Sequence, residues 1–288
     1  MVEISVIIPH FNDLRSLDLC LASLASQTQP RDTFEVIVAD NCSPVAPHEL
    51  EAVTAGRASY VRVEQRGAAI ARNEGVRVSK GRILAFIDCD CIAEPEWLSE
   101  GVTALRGQDL VGGEMKVLVD RQRSISGAEA FESVFAFDNR RYVEQESFTV
   151  TANLFTSRST FERVGGFCNG VSEDKEWCHR ARDLGFRIGY ARNARVGHPA
   201  RENWADLRRK WERLNIETFA LFRMRRFGRM QWLLRSWILL PSIFGHLPAV
   251  LKSRALQTSA ERRAAIVTLA RIRSWRFIHA HRLLMQKD

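Results

Sequence analysis

Two carboxylates one residue apart, Asp88 and Asp90, close the apolar run Leu84-Ala85-Phe86-Ile87. Four apolar residues in a row read as a short buried strand. Unpaired charge is costly inside such a strand, so the acids belong at its carboxyl end. In an open α/β sheet that end faces the crevice where ligands bind. Two hard oxygen donors this close suit a divalent cation that also holds phosphate oxygens. A solvated Asp-x-Asp turn would use the same residues. A second acidic group, Glu173-Asp174 with Glu176, follows Ser172. Ser172 suits a helix N-cap, and acids suit the first helical turn electrostatically. A carboxylate so placed could also serve as a general base. The residues alone leave both readings open.

The elements that must position these groups alternate strand and helix. Ile4 to Ile8 has the continuous β-branched character of a parallel strand buried on both faces, with Pro9 expected to end it. Asp13 or Ser16 caps a helix that carries Leu14, Leu17, Leu21 and Leu24 at helical spacing. Phe34 to Ala39 is a second strand, closed by Asp40-Asn41-Cys42-Ser43-Pro44. This order predicts a parallel sheet. The short polar residues at 40–43 either make a turn or offer a carboxylate or amide to a nucleotide base. A third strand is expected from Tyr60 to Val63. Gly67 to Gly75 reads as a helix after a glycine entry, with Arg72 directed toward a phosphate. The run ending at Asp88 is the fourth strand, and Pro95-Glu96-Trp97-Leu98 begins another helix.

The 288 residues, 45% of them apolar, allow one large domain or a domain with an appendage. The net charge of +8 is unevenly spread. Residues 201–288 hold 19 Lys and Arg against 6 Asp and Glu, whereas residues 1–200 hold 23 against 28. The basic portion suits nucleic acid, an anionic membrane or a phosphorylated substrate. The six cysteines form no Cys-x-x-Cys pair, which excludes a zinc ribbon. No basic leader precedes Ile4, so the cysteines read as reduced thiols of a cytosolic protein.

Several short motifs, taken in order, resemble the family-two glycosyltransferases of the GT-A fold. They are Val6-Ile7-Ile8-Pro9-His10-Phe11-Asn12, Val38-Ala39-Asp40-Asn41-Cys42-Ser43, Ala71-Arg72-Asn73-Glu74-Gly75 and Asp88-Cys89-Asp90. Val111-Gly112-Gly113-Glu114, Thr151 to Phe155, Val164-Gly165-Gly166-Phe167 and Ser172 to Arg180 extend the match. The resemblance implies an α/β GT-A fold over residues 1–200: a Rossmann-like, mixed but mainly parallel sheet flanked by helices. A helical C-terminal extension would occupy 201–288. It implies inverting, non-processive transfer of a sugar from a nucleoside diphosphate, with UDP the leading donor nucleotide and Mg²⁺ or Mn²⁺ as cofactor. Asp88, Asp90 and His198 would then hold the metal. Pro9, Phe11, Asp40, Arg72, Asp88 and Glu173 would line the donor site, with Asp40 accepting the N3–H of uracil. Asp174 would be the catalytic base. The family often has a second Asp where this chain has Asn41, and only Trp211 survives from the Gln-x-x-Arg-Trp signature of processive synthases.

Beyond residue 200, Trp204 to Phe227 reads as an arginine-dense helix. Trp232 to Leu251 is long enough to span a bilayer, which takes about 20 residues. Arg235, Pro241, Gly245, His246 and Pro248 interrupt it. It reads as helices lying on an anionic membrane, or as a hairpin packed on the catalytic domain. Ala264 to Leu284 is expected to be a basic amphipathic helix, with Arg271, Arg273, Arg276 and Arg282 available to phosphates. The expected partners are a nucleoside diphosphate sugar, a saccharide or lipid-linked acceptor and the inner face of the plasma membrane, with no nucleic acid. Two other classes compete: a metal-dependent sugar nucleotidyltransferase and a basic nucleic-acid-binding protein. The Glu173-Asp174 pair and the lack of a Lys-bearing glycine loop near residue 10 count against the first. No nucleic-acid module supports the second.

Overall fold

The computed structural model describes residues 2–286. Eight strands form one mixed sheet: β1 Ile4–His10, β2 Phe34–Asp40, β3 Ser59–Arg62, β4 Ile83–Phe86, β5 Ile92–Ala93, β6 Leu110–Leu118, β7 Leu154–Ser157 and β8 Ile188–Pro199. Their order is β3-β2-β1-β4-β7-β6-β8-β5. β3, β2, β1 and β4 run parallel, while β7 pairs antiparallel with β4 and β6, and β5 with β8. The helices are α1 Leu14–Ala25, α2 Pro47–Thr54, α3 Ala68–Val78, α4 Trp97–Leu105, α5 Gly127–Phe135, α6 Asn139–Glu146, α7 Arg158–Val164, α8 Glu173–Asp183, α9 Trp204–Arg223, α10 Gly228–Ile238, α11 Ser242–Lys252 and α12 Ser259–Met285.

Parallel pairing follows from sequence order. Each of β1, β2 and β3 is followed by a helix that returns the chain to the same edge. Asp13 is the cap of α1, its Oδ1 accepting the Ser16 N–H at 3.0 Å. Leu17, Cys20, Leu21 and Leu24 turn inward from that helix. Pro9 does not end β1. Odd-numbered residues of this strand face β4: the Ile87 N–H donates to the Ile7 carbonyl. β4 stops pairing at Phe86, so the N–H that Pro9 lacks falls where no neighbour remains. The core beside this sheet is aromatic. Phe86 meets Phe167 edge-on at 5.3 Å, and Phe161, Phe167 and Trp177 pack together. Each such fully buried ring contributes on the order of 2–3 kcal/mol by area.

The chain forms two compact units. The first runs to Lys116 and includes Asp138–Asn169 and Glu173–His198; the second comprises Val117–Phe137, Gly170–Ser172 and the chain from Pro199 onward. The second unit takes up most of the chain from residue 199 and also Val117–Phe137. α5 lies before that boundary, yet Ala128 and Phe131 share a buried cluster with Leu207, Val250, Leu256, Ala265, Leu269 and Ile272. Gly127 admits the close approach, since a Cβ there would lie 2.6 Å from Thr268 Oγ1.

In the second unit α9 ends at Arg223 rather than Phe227. Phe227 has φ of 59°, and Gly228 sits so near the Phe222 carbonyl that a Cβ would meet it at 1.7 Å. The apolar stretch 232–251 becomes α10 and α11, bent by 53°. Among the described residues no single helix is long and apolar enough to cross a membrane, although this bent pair passes by length and composition. α12 lacks the expected single basic face. Arg276 is only 8% exposed, Arg271 stacks on Trp204 at 3.9 Å, and apolar Val267 and Ile278 face solvent.

Candidate active site

The carboxyl ends of β1, β2 and β4 bring His10, Asp40 and the Asp88–Asp90 turn to one edge of the sheet. Asp40 pairs in register with His10 and Arg62 on its two flanking strands. Its side chain is 0% exposed. Oδ1 lies 2.9 Å from His10 Nδ1 and accepts the Ser43 hydroxyl at 2.5 Å, while Oδ2 takes Arg62 Nε at 3.0 Å and the Ser43 N–H at 3.3 Å. Four donors fill its two oxygens, and none of its surface is open to a ligand. Asp40 instead fixes the turn after β2. Asn41, next in the chain, accepts the Gly67 N–H at 2.6 Å and so ties that turn to the entry of α3. Pro9 is half-buried in β1, and Phe11 is exposed just beyond it, with the Arg66 guanidinium 4.1 Å from its ring centre.

Arg72 joins two of the expected acidic groups. It is 4% exposed, donates to Asp88 Oδ1 at 2.5 Å and forms an ion pair with Glu173 at the start of α8. Burial opposes its charge, but Glu173 and Asp88 outweigh burial, and the guanidinium pKa rises above its usual value. A buried cation between two carboxylates is stable only while both remain. Its Nε is buried with no acceptor.

α8 is held firmly. Trp177 is fully buried and donates from Nε1 to the Gly165 carbonyl at 2.7 Å. Arg180 forks onto Glu176 through two 2.9 Å bonds and reaches the carbonyls of Val164 and Gly166. Asp174, in the first turn, accepts the Lys175 N–H at 2.7 Å and is half-exposed. The helix N-terminus suits this run of negative charge.

The structure also brings Asp90 and His198 together: Oδ2 and Nε2 are 3.4 Å apart. His198 lies within β8. Among the described residues no three His, Cys, Asp or Glu side chains converge as a metal-binding group. Asp88 turns one oxygen to Arg72 instead. The cysteines that alternate with these acids differ: Cys91 is fully buried and Cys89 half-buried. Burial, then the neighbouring Asp90, pushes both thiols well above the usual value, which leaves them neutral and poor nucleophiles.

Several positioning residues carry no chemical signal in the sequence. Asn73, next to Arg72, binds the Phe167 backbone through both amide atoms, at 2.8 and 2.9 Å. Asn153 accepts from Trp97 Nε1 at 2.9 Å and donates to the carbonyls of Glu114 and Ala194. Tyr190 donates to Glu114, and burial with that bond drives its phenol pKa upward. Only the Asp40–Arg62 pair was recoverable in principle, by aligning two parallel strands. A cleft of about 430 Å³, lined by Glu3, Gln29, Ile83, Ser99, Arg106 and Asp109, contains none of these groups.

Residues 5–165 match the model of glycosyl transferase family 2. The chain is 32% identical over 254 residues to glycosyltransferase AglE of Haloferax volcanii, which covers 85% of this chain and 81% of that protein. It is 34% identical over 108 residues to a validoxylamine A glucosyltransferase of Streptomyces hygroscopicus, covering 36% of this chain and 26% of that protein. The fold resembles the mannosyltransferase PcManGT of Pyrobaculum calidifontis, solved with GDP-Man and Mn²⁺, at a TM-score of 0.64, 18% identity and coverage of 99% and 88%. It also resembles Staphylococcus aureus TarS in complex with UDP-GlcNAc, at a TM-score of 0.55, 16% identity and coverage of 98% and 90%. With its mixed sheet, its strand-end carboxylates and these likenesses, the chain belongs to glycosyl transferase family 2 and has the GT-A fold.

Proposed function

We propose that this protein transfers a sugar, with inversion, from a nucleoside diphosphate to a hydroxyl of a saccharide or lipid-linked acceptor. The observation that carries this reading is Arg72, which links the Asp88 strand end to the acidic first turn of α8 within one unit. Asp174 accepts the proton of the acceptor hydroxyl as it attacks the anomeric carbon, and the diphosphate leaves from the opposite face. One displacement with one base inverts that carbon and requires no enzyme nucleophile. Asp90 and His198 sit side by side and would hold Mg²⁺ or Mn²⁺, with the Asp88 oxygen that Arg72 leaves open as a further donor. When bound there, the metal supplies Lewis-acid neutralisation of the leaving diphosphate. Glu173 and Asp88 hold Arg72 where its charge can also meet phosphate.

The base lies against Phe11 in this reading, with Asp40 fixing the turn behind it. TarS with UDP-GlcNAc supports a uridine donor, and PcManGT with GDP-Man supplies the competing guanosine. The acceptor is taken at the cytoplasmic face of the plasma membrane, where the basic second unit and its exposed Trp237 and Phe244 suit an anionic surface. Asp174→Asn tests the mechanism. Nucleotide release from a UDP-sugar with acceptor should fall by roughly 10³-fold, as for a lost general base. Calorimetry with UDP and Mn²⁺ should show nearly unchanged binding. Near wild-type turnover in Asp174→Asn would remove Asp174 from the role.

A further inference from the structure

A helix that packs only on protein turns its apolar stripe inward. In the second unit α10 does the reverse. Met230, Leu233, Leu234 and Trp237 recur at i, i+3, i+4 and i+7, and all four are exposed. Its inward face carries Trp232 and Ser236, one turn apart and both buried. α11 shares the pattern. Ile243 and Val250 pack in the buried cluster of this unit, whereas Phe244, Pro248 and Leu251, at i, i+4 and i+7, are exposed. The turn before α10 adds Met224 and Phe227, each with more than half of its surface exposed. Apolar residues grouped on the outside in this way mark an interaction surface, whereas scattered ones do not.

Charge decides what covers this surface. Between Thr218 and Ala260 the chain holds seven Lys and Arg and no Asp or Glu. A second copy would bring these like charges together across a two-fold contact, where they repel. An anionic lipid leaflet supplies the opposite sign together with apolar chains. Arg225, Arg226 and Arg229 are exposed next to the apolar residues, so their stems can lie on apolar surface while their heads stay among the headgroups. Trp237 suits the same boundary. Neither helix is long enough to span. α10 and α11 have 11 residues each, which is about 16 Å at 1.5 Å per residue, against about 30 Å of hydrocarbon. We propose that α10, α11 and the turn before them insert into one leaflet of an anionic phospholipid membrane, along its plane, as a monotopic anchor. Insertion rests on the membrane association proposed above for the second unit and goes further: apolar side chains are buried among acyl chains, so charge attraction is not the sole hold.

The test floats the full chain on phosphatidylcholine vesicles with and without phosphatidylglycerol. Bound vesicles are then washed in about 1 M salt, where charges are screened beyond about 3 Å. Wild type should float with the anionic vesicles and stay bound through the wash. Leu234→Ser combined with Trp237→Ser should cut the salt-resistant fraction about ten-fold, with the circular dichroism spectrum and Tm retained because both positions are exposed. Arg225→Gln combined with Arg226→Gln should weaken binding at low salt and leave what binds resistant to the wash. Leu184→Ser, exposed in the first unit, should behave as wild type. Lipid brominated on its acyl chains should quench tryptophan fluorescence, and Trp237→Phe should remove most of that quenching. Binding that salt removes and the double Ser variant leaves unchanged overturns insertion while surface attraction stands. No flotation with either vesicle overturns both. A dimer in solution that the double Ser variant dissociates assigns the face to a second copy and overturns the anchor. None of these readouts requires sugar transfer, so failure of the transferase reading would leave them unchanged.

Discussion

Each unit buries a guanidinium, and the two surroundings are opposites. Arg72 lies between Asp88 and Glu173, and its positive charge is reinforced. Arg276 has an amide and an indole for company, with two further arginines nearby, and its charge is opposed. In the first unit the acids come from a strand end and a helix start, so the ion pair ties together two elements distant in sequence. In the second, Asn215 and the Trp211 ring of α9 hold Arg276 of α12. A buried ion pair therefore ties elements together in one place, and neutral contacts do so in the other.

This contrast can be broken by one substitution made at both sites. Arg72→Met should strand two carboxylates and cost about 3–5 kcal/mol, the usual result of removing one partner from a buried pair. Urea denaturation would measure it. Next in size, Asp90→Ala should weaken metal-dependent UDP binding by roughly 10–100-fold, the scale on which altered metal environments act. Calorimetry with and without Mn²⁺ reads this directly, and equal affinity under both conditions would dismiss Asp90 as a ligand. Arg276→Met should leave stability within about 1 kcal/mol of wild type or raise it, because an apolar side chain of similar size suits a site with no acid at Arg276. If Arg276→Met costs as much as Arg72→Met, the two guanidinium environments are not different in kind.

The smallest effect concerns pH. Burial lowers the pKa of His179 and of His279 below the ordinary histidine value. The unfolded chain then binds more protons than the folded one below about pH 6.5, so stability is present above that pH and declines as pH falls through it. Replacing both histidines with Gln should flatten the decline between about pH 6.5 and 5. An unchanged slope would place its origin elsewhere.

Much of the first unit was legible because its signals are local. β-Branched runs mark β1 and β2, Asp13 marks the start of α1, and strand-end acids mark the site edge. Short motifs in fixed order then identified the family. The second unit was less legible. The break after Phe227 and the bend between α10 and α11 could be located only roughly. The periodicity of α12 could not say which face lies inside, because α9 and α10 both pack against it.

By itself the sequence determined the alternation of strands and helices, the family, and which residue types could hold a metal, a phosphate or a proton. Tertiary structure decided which of them meet. Arg72 and Glu173 are 101 residues apart yet form one ion pair, and Asp90 reaches His198 across the sheet. Tertiary packing also closed Asp40 off, since His10 and Arg62 arrive from the strands on either side, and it drew α5 into the C-terminal unit. Periodicity and motif spacing describe a chain along its length. Ion pairing and burial depend on neighbours that only the folded sheet and the packed helices supply.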